Sequence, residues 1–497
     1  MRTRPDSRDT ERVTSAAPFG IARVIDRRLG GAVSRAVVAH HRRRLTRIDQ
    51  LGALDAPAGG WADSGTPPRP GCSLEVLVDG AEALPRIVEE LRQARSHVHL
   101  AGWHLAPEFA LVRGDEPAIV RSLLGELSSR IDVRVLTWGG APLPLFRPSR
   151  RAVRRARERC CARSRVDWAL DSRERPLHCH HEKTIVIDDR LAFVGGIDLT
   201  AESGDRFDSV AHVARGQLGW HDVATCVRGP AVADIAEHFR MRWREVTGET
   251  LPPAGVVEDT GDVELQIVRT VPEDIYSAVP RGDFGILESY VRALRNARRL
   301  VYLENQFLWS PEVTSIVADK LRHPPDDRFR VLIVLPGKPN TGADDTRGSL
   351  GELIEADNGA GRLLACTLYA HEGAFSDPIY VHAKVGIVDD RWLTIGSANL
   401  NDHSLFNDTE MNIVVHDPAL ATNTRLRLWA EHLELPVSAV DGEPASVVDT
   451  LWKPISKLQL EQLSAGRPLT RRPVRLPNVS RSSERLLGPL QGLLVDG

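Results

Sequence analysis

Two copies of the pattern His-x-Lys-x4-Asp stand far apart in this chain. The first consists of His181, Lys183 and Asp188, and the second of His382, Lys384 and Asp389. Alternate residues of a strand lie on one face, so the His and the Lys of each motif are expected to point the same way. An imidazole can attack phosphorus or transfer a proton, and an ammonium group can bind a phosphoryl oxygen. The paired motifs therefore predict an enzyme that cleaves a phosphodiester with two histidines.

Lysine is scarce in this sequence, which makes its presence in both motifs informative. It occurs only at positions 183, 320, 338, 384, 453 and 457, and arginine supplies nearly all other basic side chains. The ammonium group is a compact charge with three rotatable donors, whereas the guanidinium group is a wide planar fork. A crowded site around one phosphoryl oxygen favours the former, so Lys183 and Lys384 are predicted to bind phosphate.

A tight turn and a short return strand follow each motif. The turns are predicted at Asp189-Arg190 and Asp390-Arg391, and the return strands end in Gly195-Gly196-Ile197-Asp198 and Gly396-Ser397-Ala398-Asn399. Glycine allows backbone amides to approach an anion closely. These two segments are therefore predicted to contribute to a phosphate cradle.

The sequence also repeats itself on a larger scale. Residues 83–100 align with residues 286–303, and residues 134–138 resemble residues 330–334. Helix, strand, strand and motif recur in the same order, which indicates an internal duplication with its seam at residues 251–261. Strands that alternate with helices predict an α/β fold of two fused pseudo-symmetric sandwich halves with mixed sheets. We expect the active site between the halves, because each half supplies only one histidine.

Four regions follow from this division of the chain. They are a basic helical extension and linker at residues 1–70, the first half at 71–258, the second half at 259–432, and a C-terminal extension at 433–497. Apolar residues four apart predict an amphipathic helix over residues 21–48, and Gly and Pro predict a linker over 52–71. A further helix is predicted over residues 230–246 and a long loop over 337–361.

Composition is that of a soluble globular protein. The 497 residues carry a formal net charge of −3, and 42% of them are hydrophobic and 26% charged; such fractions are ordinary for a folded domain. No apolar run approaches the ~18 residues that span a bilayer, and the first residues lack the features of a secretory signal. We expect a cytoplasmic protein, and peripheral contact with the inner face of the membrane is an open option.

Cysteine and histidine usage bears on disulfides and metals. Six cysteines without a signal peptide argue against a disulfide framework. The run His178-Cys179-His180-His181 contains residue types that bind zinc. Successive side chains of a strand alternate between faces, and no distant CxxC or HxxxH pattern completes a site, so we predict no metal site here.

Basic residues are concentrated at both ends of the chain. The first fifty residues contain twelve arginines against five acidic residues, and further arginines follow at positions 467, 471, 472, 475, 481 and 485. An anionic partner, either lipid headgroups or nucleic acid, and a plain solvated surface are equally compatible with this pattern.

The motifs together resemble those of the phospholipase D superfamily over roughly residues 72–430. Additional segments are similar to those of its lipid-hydrolysing branch: Gly102-Trp103-His104-Leu105-Ala106-Pro107-Glu108, Gly195-Gly196-Ile197-Asp198-Leu199, Trp220-His221-Asp222-Val223, Glu304-Asn305-Gln306-Phe307 and Gly396-Ser397-Ala398-Asn399-Leu400-Asn401. The first half has Gly196 and Asp198 where much of the family has Ser and Asn, a variation common in the lipid branch. No phosphoinositide-binding or calcium-binding lipid module is evident.

The resemblance implies a two-step reaction through a phosphohistidine. His181 would attack phosphorus while His382 protonates the departing headgroup oxygen, and His382 would then activate water or an alcohol. The residues implied to bind the phosphoryl oxygens are Lys183, Lys384, Asn399 and Ser397, and Asp188 and Asp389 complete the two catalytic motifs. Asp222 and Glu410 are implied to orient the histidines, Asp222 on His181 and Glu410 on His382. No metal and no other cofactor is expected.

The predicted function is that of a phospholipase D that hydrolyses glycerophospholipids to phosphatidic acid and a headgroup alcohol. A phosphatidyltransferase such as a cardiolipin synthase is the main alternative; the lack of N-terminal membrane helices favours the hydrolase. A nuclease ranks third, because a long basic face interleaved with aromatics is missing. An inactive lipid-binding protein is disfavoured by the intact motifs. The predicted partner is the phospholipid substrate; no nucleic acid is expected, and headgroup preference and oligomeric state are open.

Overall fold

The computed structural model describes residues 20–142, 147–175, 178–201, 219–337 and 343–477. The predicted basic residues before position 20 and after position 477 lie outside this part of the chain, as do residues 338–342 of the predicted long loop. Among the described residues, no helix is both long enough and apolar enough to cross a bilayer.

The elements up to residue 247 comprise two leading helices and the first half. The helices are α1 (Gly20–Arg47), α2 (Gly52–Asp55), α3 (Asp79–Arg92), α4 (Val120–Ser128), α5 (Arg150–Cys161) and α6 (Ala231–Thr247). The strands are β1 (Arg69–Val78), β2 (His97–Gly102), β3 (Ala110–Val112), β4 (Ala118–Ile119), β5 (Asp132–Trp138), β6 (Asp167–Asp171), β7 (Thr184–Ile187), β8 (Leu191–Gly195), β9 (Gly219–His221) and β10 (Val223–Arg228).

The second half and the C-terminal elements follow. The strands are β11 (Val263–Val271), β12 (Asp283–Phe284), β13 (Leu300–Glu304), β14 (Arg330–Val334), β15 (Leu363–Glu372), β16 (Phe375–Val381), β17 (Val385–Val388), β18 (Trp392–Gly396), β19 (Glu410–Val415) and β20 (Pro473–Arg475). The helices are α7 (Gly285–Asn296), α8 (Pro311–Arg322), α9 (Ala343–Asp357), α10 (Asp402–Phe406), α11 (Pro418–Leu433), α12 (Val437–Val440), α13 (Pro444–Val447) and α14 (Lys453–Ser464).

The two halves have the same order of central strands. It is β6–β5–β2–β7–β8–β10–β1 in the first half and β15–β14–β13–β17–β18–β19–β11 in the second. In both, the first three strands are parallel and the remaining pairs antiparallel. This repetition confirms the predicted mixed α/β fold with two pseudo-symmetric halves.

The halves are joined to each other by strand pairing and by a common core. β1 pairs with β11, and β9 pairs with β16. One continuous hydrophobic cluster contains buried residues of both halves, among them Val194 and Val223 from the first and Ile395 and Ile413 from the second. Neither half alone can bury this cluster completely, because part of its apolar area would then face water.

Each motif strand turns back through two aspartates in the left-handed conformation. Asp188 and Asp189 have φ of 54° and 51°, and Asp390 follows Asp389 with the same sign. Positive φ at both central residues is the geometry of the two-residue hairpin turn, and Asp tolerates it better than most residues. The turns were predicted one residue further along the chain, at Asp189-Arg190 and Asp390-Arg391.

The predicted linker over residues 52–71 is wrong, because this segment packs against the second half. The backbone N–H of Gly59 donates to the carbonyl oxygen of Arg292 at 2.9 Å, and the amides of Asp63 and Ser64 donate to the carboxylate of Glu288 at 2.8 and 3.0 Å. The Gly and Pro residues correctly indicated irregular backbone. Irregular backbone can nevertheless pack against a domain and need not be a linker.

The end of α1 is likewise bound to the second half. His41 bonds to Glu312 at 2.8 Å, and the Arg44 guanidinium donates to Glu273 at 2.7 and 2.9 Å. Leu45 is fully buried in the core of the second half. We call residues 41–66 the docking segment.

The predicted long loop over residues 337–361 is mostly helix in the structure. α9 occupies residues 343–357, and its residues Leu350, Leu353 and Ala356 are buried. These three residues recur every three positions and form the apolar stripe of a short helix. The surrounding Gly and Asp residues obscured that stripe in the sequence.

Candidate active site

Each motif histidine is hydrogen-bonded to a carboxylate from the opposite half. Nδ1 of His181 lies 2.9 Å from Oε1 of Glu410, and Nδ1 of His382 lies 2.6 Å from Oδ2 of Asp222. All four side chains are buried. The implied pairing of Asp222 with His181 and of Glu410 with His382 is therefore wrong, since the contacts are crossed.

The backbone explains this exchange. The N–H groups of His181 and Glu182 both donate to the carbonyl oxygen of Thr409, the residue before Glu410. In the same way, the N–H groups of His382 and Ala383 both donate to the carbonyl oxygen of His221, the residue before Asp222. The segment that leads into each motif therefore runs beside the carboxylate-bearing segment of the other half.

These contacts fix the tautomer of both imidazoles. A carboxylate only accepts hydrogen bonds, so Nδ1 of each ring carries the hydrogen that points at it. The lone pair of the neutral ring is then on Nε2, as in other histidine bases that an acid orients. Trp220 packs beside the ring of His382 with centroids 4.3 Å apart, which further restricts its rotation.

The two motif lysines have different partners; that each shares a face with its histidine stays a prediction, because residues 181–183 and 382–384 precede β7 and β17. Lys183 donates to the carbonyl oxygen of His181 at 2.6 Å and lies 3.1 Å from the Asp198 carboxylate. Lys384 donates to the carbonyl oxygen of His382 and, at 3.3 Å, to Oε1 of Gln306. The site thus pairs one lysine with a carboxylate and the other with a neutral amide.

Asn399 joins the second lysine through that same amide. Its Nδ2 donates to Oε1 of Gln306 at 3.3 Å, so Lys384, Asn399 and Gln306 form one cluster. Sequence reasoning assigned no role to Gln306 or to Asp198. Both stand in segments that had been singled out by resemblance, and that was the available signal.

The glycine-rich segments after the two return strands lie against the orienting carboxylates. A side chain at Gly196 would come within 2.2 Å of Oδ1 of Asp222, so only glycine permits this approach. At the matching position of the second half, the Ser397 hydroxyl donates to Glu410 and accepts from the N–H of Met411. The Ser397 hydrogen is therefore directed to the carboxylate, and binding of phosphate by Ser397 stays a prediction.

Asp188 and Asp389 lie at the other end of the motif strands from the histidines. The Asp188 carboxylate accepts the backbone N–H groups of residues 95–97 at 2.8–3.0 Å. Asp389 accepts those of residues 298–300 at 2.7–2.8 Å. These contacts hold the turn against the preceding helix–strand connection. The geometry assigns both aspartates to support of the fold rather than to the chemistry that their motif positions suggested.

A buried charged network supports Asp222, and sequence analysis had not predicted it. Asp79 accepts hydrogen bonds from Nδ1 of His221 and from the backbone N–H of Asp222, both at 3.0 Å. Nε2 of His221 bonds to Glu304 at 2.9 Å. Burial by itself would lower the pKa of His221, but the charges of Asp79 and Glu304 outweigh it and hold the pKa well above its usual value.

A second buried network holds Glu182, the residue after His181, just before β7 begins. Glu182 bonds to His238 at 2.7 Å and to Arg242, which also donates to Asp171 at 2.8 Å. Burial raises the pKa of Glu182, but the positive charge of Arg242 and the hydrogen bonds from His238 and Arg242 outweigh it and lower the pKa below its usual range. The residue between His181 and Lys183 is therefore an ionised anchor on helix α6.

Parts of this chain are similar to known proteins. A family model described as "Cardiolipin synthase, PLD-like domain" matches residues 290–431. Phospholipase D A of Dictyostelium discoideum is 26% identical over an alignment that covers 74% of this chain and 36% of that protein. Phospholipase D alpha 4 of Arabidopsis thaliana is 27% identical, with 73% and 65% covered.

The major cardiolipin synthase ClsA of Bacillus subtilis (strain 168) is also similar. It is 24% identical, and the alignment covers 70% of this chain and 66% of ClsA. The chain thus spans from about a third to two thirds of the length of these relatives. Among solved structures, phosphatidylserine synthase of Haemophilus influenzae Rd KW20 aligns with a TM-score of 0.49 and 14% identity, over 84% of this chain and 99% of that one. The chain is therefore similar to proteins of the phospholipase D superfamily, both in the domain matched at residues 290–431 and along the aligned relatives.

Proposed function

We propose that this protein is a phospholipase D that hydrolyses a glycerophospholipid to phosphatidic acid and a headgroup alcohol. The observation that carries the proposal is the crossed arrangement of two histidines, each with its Nδ1 on a carboxylate of the other half. Of two imidazoles held in this way, a neutral one can attack through its Nε2 lone pair, and one that is also protonated on Nε2 can act as the acid for the same phosphodiester. Similarity to phospholipases D of other organisms supports the lipid as substrate.

In the first step, Nε2 of His181 attacks phosphorus and forms a P–N bond. The P–O bond to the headgroup breaks, and His382, which enters this step protonated on both ring nitrogens, donates its Nε2 proton to the departing oxygen. Negative charge grows on the phosphoryl oxygens, and Lys183, Lys384 and Asn399 are the donors proposed to stabilise it. The assignment of nucleophile to His181 and of acid to His382 follows the family resemblance.

In the second step, His382 accepts a proton from water. The water oxygen attacks phosphorus, the P–N bond breaks, and His181 returns to its neutral state with phosphatidic acid released. An alcohol in place of water gives a new phosphodiester through the same intermediate. Every proton moves between His382 and a reacting oxygen, and the orienting carboxylates take no part in the proton transfer.

The second candidate is a transferase that uses phosphatidylglycerol as donor and acceptor and makes cardiolipin. The match of residues 290–431 to a cardiolipin synthase domain and the similarity to ClsA favour it. Both candidates share the phosphohistidine, so only the acceptor distinguishes them.

One experiment decides between these functions. The protein is incubated in parallel with phosphatidylcholine vesicles, phosphatidylglycerol vesicles and single-stranded DNA, and the products are identified by mass spectrometry. A hydrolase releases phosphatidic acid from a vesicle substrate, whereas the transferase produces cardiolipin and glycerol from phosphatidylglycerol. Cleavage of DNA alone would overturn both proposals. His181→Ala serves as the inactive control.

The intermediate is tested separately. Protein quenched at alkaline pH during turnover should carry the phosphatidyl group on His181, because phosphohistidine is lost in acid. An adduct on His382 would reverse the two roles.

A further inference from the structure

The segment that precedes the first motif contains a histidine that the proposed chemistry does not use. His178 lies three residues before His181, and its ring faces His403 in α10 and the carboxylate of Asp408. His403 and Asp408 belong to the second half. Sequence analysis found no distant partner for the run His178-Cys179-His180-His181, because these two residues are too far along the chain to form a recognisable pattern with it.

The donor atoms of the three side chains converge. Nδ1 of His178 lies 2.9 Å from Nδ1 of His403 and 3.5 Å from Oδ1 of Asp408. One ligand atom of each residue lies within 4.8 Å of the other two. Tetrahedral zinc with bonds of ~2.0–2.1 Å to nitrogen needs its donors about 3.3 Å apart, and the distances from His178 to His403 and to Asp408 are both within a few tenths of an ångström of that value.

Contacts within the second half hold His403 and Asp408 in place. The backbone N–H of Asp408 donates to the carbonyl oxygen of His403 at 2.8 Å, which fixes the two ligands relative to each other. Trp309 packs edge-on against the ring of His403. Oδ1 of Asp408 accepts the N–H of Cys179 at 2.8 Å, and the buried Oδ2 of Asp408 has no hydrogen-bond partner among the described residues.

Access separates this cluster from a second group of converging donors, His221, Glu304 and His432. The side chain of His178 is 19% exposed, while that of Asp408 is 1% exposed. In contrast, His221, Glu304 and His432 are all fully buried, and ion pairs join both histidines to Glu304. An ion could reach the first cluster from solvent through His178, and it could not reach the second without opening the core.

From this geometry we propose that His178, His403 and Asp408 bind one divalent transition-metal ion of the zinc type, which ties the first half to the second beside the active site. Two imidazoles and a carboxylate are a ligand set that zinc accepts, with water as the fourth ligand. The ion would hold the chain three residues before His181 against the chain two residues before Glu410. Its role is to position the contact between those residues, and no step of the reaction passes through it.

The test measures binding and does not depend on the proposed function. The full-length protein is freed of metal with a chelator and titrated with Co²⁺, whose visible absorption reports tetrahedral coordination, and then with Zn²⁺. The wild type should bind one equivalent of each. His178→Asn should weaken binding at least tenfold, and His323→Asn should leave it unchanged, because His323 is an exposed surface histidine that pairs with Asp319. Absence of binding to the wild type, or equal binding by His178→Asn, would overturn the proposal.

A second measurement needs no variant. Diethyl pyrocarbonate should modify the partly exposed ring of His178 in metal-free protein, and mass spectrometry can quantify this modification. One equivalent of Zn²⁺ should slow modification of His178 at least tenfold and leave that of His323 unchanged. If zinc does not protect His178, the three side chains bond only to one another and the proposal fails.

Discussion

Glu410, near the end of the second half, accepts the Nδ1 hydrogen of His181 from the first half at 2.9 Å. The reciprocal contact joins Asp222 of the first half to His382 of the second at 2.6 Å. Each histidine therefore depends on the half that does not carry it. Any change that separates the halves removes both orienting carboxylates at once.

Replacement of the orienting carboxylates tests this dependence. Glu410→Gln and Asp222→Asn keep the shape of the side chain but lose the negative charge that fixes the tautomer. We expect kcat on phospholipid vesicles to fall on the order of a hundredfold to ten-thousandfold, with KM little changed. Glu89→Gln, at an exposed position of α3, is the matched control. A loss below tenfold in both variants would contradict the assignment.

A break in the chain provides a second test. Val256 is fully exposed between α6 and β11, so the chain can be divided there. Residues 1–255 and 256–497 produced separately should each be inactive, because each piece retains one histidine without its carboxylate. Co-expression should restore turnover, since the shared core and the strand pairs reform. Turnover by either piece as a monomer would show that one half suffices.

Exchange of the motif lysines tests the shape of the phosphate site. Lys183→Arg and Lys384→Arg preserve the charge, but a planar fork cannot occupy positions where the ammonium group donates to the carbonyl oxygen two residues before it. We expect kcat to fall on the order of a hundredfold or more for each variant. Lys457→Arg, on the exposed face of α14, should behave as wild type. Wild-type rates in both motif variants would mean that charge alone is required.

The network behind His181 should dominate the stability of the first half. The side chains of Arg242, Glu182 and Asp171 are 1% exposed or less. Arg242→Met removes the guanidinium that joins the buried carboxylates of Glu182 and Asp171, which should lower the free energy of unfolding by about 3–5 kcal/mol. Arg121→Met breaks an ion pair with Glu108 that is about half exposed and should cost less than about 1 kcal/mol. Urea denaturation measures both, and similar values would contradict the prediction.

The docking segment should respond to pH through Glu273. Burial raises the pKa of this carboxyl, but the hydrogen bond and charge of Arg44 outweigh it and lower the pKa to about 2. A depressed pKa stabilises the fold above the unfolded value of ~4.3, and this contribution is lost as the pH falls through the folded pKa. Arg44→Met should therefore lower Tm most near neutral pH, and the difference from wild type should shrink between roughly pH 4 and pH 2. Arg43→Met, at an exposed neighbour, is the control; a difference that does not depend on pH would count against this ion pair.

Local pattern was sufficient to predict the halves of this molecule. The alignment of residues 83–100 with residues 286–303 corresponds to α3–β2 and α7–β13, which occupy equivalent places in the two sheets. The hairpins β7–β8 and β17–β18 follow from two short apolar runs on either side of a turn. Such features depend on neighbours in the chain, so composition and spacing determine them.

Contacts between residues far apart in the chain could not be predicted from local sequence patterns. Two carboxylates and two histidines allow two pairings with identical sequence patterns, and only the hydrogen bonds of His181 and His382 to the backbone of residues 409 and 221 select one. The anchoring of Glu182 by Arg242 likewise joins residues with no sequence signal between them. Side chains held by tertiary contacts are visible only once the sheets are assembled.

The docking segment also affects the order in which the chain can acquire its structure during synthesis. Residues 41–66 leave the ribosome well before Glu273, Glu288 and Glu312, the carboxylates to which they bind. At about 5–20 residues per second the delay is on the order of ten seconds or more. During that time Leu45 and the buried cation at Arg44 have no surface to cover them, and the first half lacks its shared core. The docking segment can therefore pack only after the second half has been synthesised, so the final packing of this protein comes late.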